Sequence, residues 1–211
     1  MKKFLVVFVL SLLLLNCRDA PKDNASEEND TTFEQYDDFL IVPGRRVGMV
    51  TSESTEAEVE KAYGEENVRF TSLDMGEGEE ELGVIVFPDT KNALEIVWEL
   101  EASIGKPAFV RLSKENGAWA TEQGVQVGTS LEKLEEINGQ PFTFYGFEWD
   151  YGGLVTDWNG GNLSPYLIVA LIPQNIEALR EEMLGDVELS SDDPQVRKLR
   201  AKVGSLVVTF E

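Results

Sequence analysis

The chain has 211 residues, a formal net charge of -21 at pH 7, no histidine and a single cysteine. Without histidine, Ser-His-Asp and Cys-His catalysis and histidine-based zinc or iron sites are excluded, which leaves carboxylate, lysine, serine or tyrosine chemistry for an enzyme. The strong negative charge repels phosphate backbones, so we expect no nucleic acid partner.

The first predicted element, residues 1–16, is a secretory signal peptide. Two lysines precede an apolar run from Phe4 to Leu15, about twelve residues and therefore shorter than the roughly 20 that a membrane-spanning helix needs. Cys17 follows this run and has no disulfide partner in the chain. The segment resembles the lipobox of bacterial lipoproteins, with a composition most similar to those of the Bacteroidetes group. The resemblance implies lipidation of Cys17, with acyl chains such as palmitate as the membrane anchor.

Residues 17–38 are predicted to form the lipidated cysteine and an acidic tether. Segment 18–38 carries eight acids and two bases with few apolar residues, so it cannot bury enough surface to offset its ordering entropy. Arg18 stands where, in similar lipoproteins, an aspartate holds the protein at the inner membrane. The resemblance therefore implies an outer-membrane protein, lipid-anchored and facing either the periplasm or the cell surface.

The folded part is predicted to be α+β and to consist of two tandem repeats, residues 39–122 and 123–211. The segments VTSESTEAEVEKAYG and VQVGTSLEKLEEING align at an offset of 75 residues. In each, a hydroxyl pair precedes a short apolar-faced helix and a glycine follows it, which predicts an N-cap and a left-handed C-cap. Glu58 and Glu132, three residues after Thr55 and Thr129, favour a capping box in each helix.

Each predicted helix is followed by four strand-like segments. They are residues 68–73, 83–88, 93–100 and 108–113 in the first repeat, and 141–149, 153–158, 166–172 and 205–210 in the second. The turn-rich gaps between them favour antiparallel four-stranded meanders, with the helices packed on one sheet face. Further helical segments are predicted over residues 173–184 and 190–203.

This pattern is similar to the tandem fold of the beta-lactamase inhibitory proteins. Each unit also resembles the small outer-membrane assembly lipoproteins of the SmpA/OmlA type, which share a glycine, a hydroxyl-capped helix and a following glycine at similar spacing. The folded part of this chain lacks the cysteines that form the inhibitors' disulfides. The resemblance therefore implies a fold and transfers no binding residue.

A dense row of aromatic residues over 141–151 is the strongest candidate for a binding site. If this segment is one strand, a period of two places its aromatic residues Tyr145, Phe147, Trp149 and Tyr151 on one face. Such a row could stack on a sugar or on a partner's side chain, but core and turn roles are the favoured interpretation, because large apolar residues are mostly inside. The candidate partner-binding residues are Tyr145, Trp149, Tyr151 and Trp158.

Two acidic segments offer alternative chemistry. Glu148 and Asp150 could act as an acid and base pair, and the loop Asp74–Glu81 contains oxygen ligands suited to calcium. Nothing distinguishes the pair among 39 acids, so we predict no catalytic residue, metal or cofactor, and leave calcium binding open. The predicted function is a non-catalytic cell-envelope module that binds an envelope protein or has a structural role. The alternatives are a carbohydrate-binding module and a carboxylate-dependent glycosidase.

Overall fold

Thirteen strands and three short helices occupy the described part of the chain, residues 39–98 and 105–211 of a computed structural model. The helices are α1 (Glu56–Tyr63), α2 (Leu131–Asn138) and α3 (Pro194–Arg197). The strands are β1 (Leu40–Val42), β2 (Arg46–Val47), β3 (Val50–Thr51), β4 (Val68–Gly76), β5 (Glu79–Val86), β6 (Leu94–Trp98), β7 (Pro107–Leu112), β8 (Ala120–Thr121), β9 (Thr143–Tyr145), β10 (Val155–Asp157), β11 (Leu167–Ile172), β12 (Glu188–Ser190) and β13 (Lys202–Thr209). Short 3₁₀ helices lie at Glu65–Asn67, Ile176–Ala178 and Glu181–Met183.

The strands form three sheets. The largest has six strands in the order β11-β13-β7-β6-β5-β4, and every neighbouring pair in it is antiparallel. A four-stranded sheet has the order β3-β2-β1-β8, in which β1 and β8 run parallel. The third sheet has the order β10-β9-β12 and is antiparallel.

One hydrophobic core joins the sheets and helices. Alternate residues of the six-stranded sheet line one side of this core, because successive side chains of a strand point to opposite faces. These buried residues include Val84, Val86, Leu94, Ile96, Val110, Leu112, Leu167, Val169, Leu206 and Val208. The same cluster includes Val59 of α1, Leu131 and Leu134 of α2, and the β9 region through Phe142 and Phe144.

Each of the two longer helices follows a hydroxyl residue and precedes a glycine, as the sequence pattern predicts, but the predicted capping box forms only in α1 and the predicted left-handed glycine only after α2. Before α1, Thr55 accepts a hydrogen bond from the Glu58 N–H at 3.3 Å and donates its own N–H to Glu58 Oε2 at 2.8 Å, which completes a capping box. In α2 the cap is Ser130, which accepts from the Lys133 N–H at 3.2 Å; Thr129 does not cap the helix. Each helix has eight residues and is followed by a glycine with positive φ.

The turns before the helices are also equivalent. Ser54 accepts a hydrogen bond from the Thr51 N–H at 2.9 Å, and Thr129 accepts one from the Gln126 N–H at 3.0 Å. Both hydroxyl residues are buried. The hydroxyl turn and an eight-residue helix thus occur twice in the chain, with different helix caps.

The predicted fold class was wrong, because the described chain is mostly β and its strands do not form two helix-plus-meander units. After α1 the strands β4 to β7 pair in chain order, but after α2 they do not. β9 pairs with β10 and β12 in a separate sheet, while β11 and β13 join β7. The six-stranded sheet therefore takes strands from both sides of residue 122, and the helices are too short to form a layer over it.

The segment predicted as a helix over residues 173–184 is largely irregular. It contains two single-turn 3₁₀ helices, and Leu179 and Arg180 between them have extended backbone. Main-chain contacts at both ends explain this difference. The N–H groups of Gln174 and Asn175 donate to the Leu199 carbonyl, and the Phe147 N–H donates to the Met183 carbonyl, so tertiary hydrogen bonds outweigh helix propensity here. Over 190–203 only α3 is α-helical, because residues from Lys202 onward join β13.

A buried polar network ties α2 and α3 to the start of β9. The fully buried Ser191 accepts a hydrogen bond from the Phe142 N–H at 3.0 Å and donates to Glu135 Oε2 at 2.6 Å. The other oxygen of Glu135 accepts from Arg197 at 2.6 Å. We name Glu135, Ser191 and Arg197 the Ser191 network. It fixes the strand that leads into the aromatic residues described below.

Candidate binding surface

Three of the four predicted site residues form a cluster of rings at the surface. The Tyr145 and Trp149 ring centroids are 5.2 Å apart with an interplanar angle of 81°, and those of Trp149 and Tyr151 are 5.3 Å apart at 68°. Tyr145 and Trp149 are half-buried, while Tyr151 is 59% exposed. We call these three residues the aromatic cluster. Edge-to-face pairs of this kind stabilise one another by about 0.5–1.5 kcal/mol beyond the area they bury.

The turn that carries the cluster is held by its main chain. Trp149 donates its indole N–H to the Gly146 carbonyl at 3.0 Å, and the Gly152 N–H donates to the Trp149 carbonyl at 2.9 Å. A β-carbon at Gly146 would lie 2.7 Å from the Met183 carbonyl oxygen, and one at Gly153, where φ is +76°, would collide with the Leu171 carbonyl. Because both glycines admit neighbouring backbone this closely, the turn packs tightly against residues 183–185 and β11.

The strand predicted over 141–149 is much shorter in the structure, and the continuous strand over 141–151 on which the aromatic row depended does not form. β9 ends at Tyr145, Phe147 is buried against Phe144, and Glu148 adopts a left-handed conformation with φ of +62°. For a residue with a side chain this conformation costs about 1–2 kcal/mol. The turn breaks the alternation of the strand, so Phe147 faces the core while Trp149 lies at the surface.

Acidic side chains border the aromatic cluster. Glu148 and Asp150 are exposed on either side of Trp149 in the turn. Glu188 lies directly opposite Tyr145 across the β9–β12 pair, and Asp186 follows Gly185, whose N–H donates to the Phe147 carbonyl. Within the described residues none of these four carboxylates makes an ion pair. Sequence analysis missed Glu188 and Asp186, because only the pairing of β12 with β9 brings residues some 40 positions later beside the cluster.

Trp158, the fourth predicted residue, lies apart from the cluster. Its ring packs at 5.2 Å on the buried Phe142, and among the described residues it has no ring contact with the cluster. It lines an open cleft of about 400 Å³ between β10 and β11. The β10 and β11 edges are linked at the Leu154 and Ala170 bridge. The lining includes Val155, Asp157, Leu163, Pro165 and Ile168.

The alternative acidic sites do not converge in space. Asp74–Glu81 forms the end of the β4–β5 hairpin, where Asp74 lies opposite Glu80 and Leu73 lies opposite Glu81. Neighbouring acids of this hairpin thus alternate between two faces. No group of three or more histidine, cysteine or acidic residues is placed to hold a metal in the ranges 39–98 and 105–211.

Comparison with known protein families, with characterised proteins and with solved structures finds no match to this chain. The resemblances to lipoproteins and to the inhibitory and assembly proteins therefore stay predictions. The predicted signal peptide, Cys17 and the predicted tether lie outside the described residues. In the part of the chain that is described, none of the helices is both long and apolar enough to cross a bilayer.

Proposed function

We propose that this chain is a non-catalytic, lipid-anchored lipoprotein of the outer membrane whose folded part binds an envelope protein through the aromatic cluster. The observation that supports the binding role most directly is the hydrogen-bonded turn that presents Trp149, packed against both Tyr145 and Tyr151, at the surface. Tyrosine and tryptophan are enriched among the residues that contribute most to protein interfaces. A surface that is ordered before binding also loses less conformational entropy on association.

The ring geometry favours a protein over a carbohydrate as the ligand. Neighbouring rings of the cluster are inclined at 81° and 68°, so they do not form a common plane. A flat sugar ring could stack on only one of them, whereas a folded or extended protein segment can place side chains on several. Carbohydrate binding is kept as an outcome of the experiments below.

The positions of the carboxylates speak against a glycosidase. That chemistry requires two carboxyl groups on opposite sides of one bond, about 5–10 Å apart. Glu148 and Asp150 are exposed on the surface turn. The cleft beside Trp158 has one carboxylate, Asp157, among its lining residues.

Crosslinking in cells, followed by identification of the copurifying proteins, tests this proposal. The variant W149A/Y151A removes the central ring and the most exposed ring of the cluster, and F70A/L82A is the matched control because Phe70 and Leu82 are 49% and 67% exposed on the distant β4–β5 hairpin. We expect a specific protein crosslink that W149A/Y151A loses and F70A/L82A keeps. Equal recovery with wild type and both variants would contradict a role for the cluster. Quenching of Trp149 fluorescence by an envelope glycan would instead favour the carbohydrate-binding alternative.

The anchor is tested separately by C17A. We expect wild-type protein to incorporate labelled palmitate and to fractionate with the outer membrane, and C17A to lose both properties while its folded part keeps the wild-type thermal transition. Membrane association of C17A equal to that of wild type would contradict lipidation as the anchor. Protease treatment of intact cells then distinguishes the cell-surface from the periplasmic orientation.

A further inference from the structure

The charge around the aromatic cluster is one-sided. Residues 138–188 contain eight acidic side chains and one basic side chain, Arg180. Arg180 is 3.7 Å from Glu182 and so has a carboxylate partner already. A surface with this balance attracts cations and repels anionic groups at distances up to about a Debye length, which is about 8 Å at physiological ionic strength.

The carboxylates nearest the rings lack counter-charges within the described chain. Glu148 and Asp150 flank Trp149, Glu188 faces Tyr145, and the exposed Asp186 lies two residues before Glu188. Elsewhere the structure pairs acids readily, as in Arg111 with Glu95 at 2.6 Å and Lys202 with Glu115 at 2.5 Å. Like charges gathered in one place repel, and a cation that binds between them relieves this repulsion.

The rings themselves favour a cation. The face of an aromatic ring carries partial negative charge, and a guanidinium or ammonium group within about 6 Å of its centre is attracted to it. Tyr151 is 59% exposed and Tyr145 and Trp149 are half-buried, so part of the ring surface is accessible to such a group. Ring faces and carboxylates together therefore match a positively charged group with an apolar stem, the chemistry of arginine and lysine side chains.

We infer that the protein partner presents a basic segment, and that an arginine or lysine of this segment lies on the aromatic cluster with Glu148, Asp150 and Glu188 as its counter-charges. This inference rests on the proposed function and specifies the partner chemistry of the same site. The cluster is an open surface turn and does not enclose a small ligand, so affinity requires several contacts along a chain. A basic segment can place further cations near Asp186 while its central side chain contacts Trp149.

Binding of short labelled peptides, followed by fluorescence anisotropy, tests this inference on the folded protein. One peptide alternates arginine with glycine, and in the matched peptide citrulline replaces arginine, which keeps the size and planar shape of the side chain but removes the charge and replaces one nitrogen group by a carbonyl oxygen. We expect the arginine peptide to bind about tenfold more tightly or better, and added salt to reduce the difference. Equal affinity for the two peptides would overturn the inference.

Two triple variants with the same change in net charge separate the local site from the overall acidity. E148Q/D150N/E188Q removes the charges beside the cluster, and E65Q/E79Q/E122Q removes three exposed charges that have no hydrogen-bond or ion-pair partner in the described chain. We expect the first to weaken arginine-peptide binding about tenfold and the second by less than about threefold. Equal losses would show that binding follows net charge alone and would overturn the inference.

The ring contribution is tested by W149L, which keeps an apolar side chain but removes the π system, and by W149F, which keeps a smaller ring. We expect W149L to lose most of the preference for arginine over citrulline and W149F to retain part of it. Stronger binding of tetramethylammonium than of the arginine peptide would overturn the inference in favour of a small-molecule site. If crosslinking identifies a cluster-dependent partner without a basic segment, the inference fails while the proposed function stands. If the peptides bind as expected but no cluster-dependent partner is recovered, the proposed function fails.

Discussion

Replacing Ser191 by alanine is expected to destabilise the fold more than its small change in volume suggests. The hydroxyl is fully buried, accepts the Phe142 N–H at 3.0 Å and donates to Glu135 at 2.6 Å. In S191A the Phe142 N–H is left without an acceptor, which costs about 1–3 kcal/mol. Loss of the bond to the partly accessible Glu135 carboxylate adds roughly 1 kcal/mol, because water replaces it only in part.

The expected loss for S191A is therefore about 2–4 kcal/mol of a total stability that is typically 5–15 kcal/mol. For a domain of this size it lowers the melting temperature by roughly 4–16 °C. Urea unfolding followed by tryptophan fluorescence measures the free energy directly. The control is S190A, since the hydroxyl of the half-buried Ser190 bonds only to the neighbouring Asp192, and we expect less than about 1 kcal/mol for it. A value for S191A within about 0.5 kcal/mol of wild type would refute the reasoning on the buried N–H.

Three further results are expected. G153A should lose at least about 2 kcal/mol and change the Trp fluorescence, because Gly153 has φ of +76° and a β-carbon there collides with a main-chain carbonyl of β11; wild-type stability would contradict the described turn. The hydrogen bond from Arg69 to Asp89, 2.8 Å long, holds the pKa of Asp89 below its ordinary value of 3.8, so the stabilisation from this pair is present above that pH and is lost as pH falls through the lowered pKa. NMR titration should show the lowered pKa of Asp89 in wild type and a pKa closer to the ordinary value in R69Q. An unchanged pKa of Asp89 in R69Q would contradict the role of Arg69. L206A, at a fully buried position in β13, should cost about 2–5 kcal/mol, whereas I176A, at a position 69% exposed, should cost less than about 0.5 kcal/mol. Similar losses of stability for the two variants in calorimetry would contradict the placement of the core.

Local structure was predictable only in part from neighbouring residues, because the spacing of Thr129 and Glu132 predicted a capping box that α2 lacks. The spacing of Thr55 and Glu58 specifies the capping box of α1, and the apolar positions of α2 specify its buried face. Pairing between distant strands was not predictable in the same way, because any of several apolar strands satisfies the same alternation. The sequence does not indicate that β13 lies between β7 and β11, and this placement separates the observed fold from a pair of meanders.

The candidate site likewise combines residues that were predicted from the sequence with residues that only tertiary pairing brings together. Tyr145, Trp149 and Tyr151 were identified from composition and are brought together by the structure, but for a different reason from the predicted one. The left-handed turn at Glu148 exposes Trp149, whereas a continuous strand would have placed it beside Phe147. Trp158 lies elsewhere, and Glu188 reaches the site only through tertiary pairing.

The position of β13 between β7 and β11 has a consequence for the order in which the sheet folds during synthesis. Residues 202–209 emerge from the ribosome long after β4 to β7, yet they fill the gap between β7 and β11. Until these residues are synthesised, β7 has an unpaired edge and the core-facing side of the sheet is incomplete. Such a state is prone to aggregation. If the chain is exported as we propose, late closure of this sheet keeps it loose enough to pass through a translocation pore. We therefore expect the exported chain to need a holding chaperone in transit.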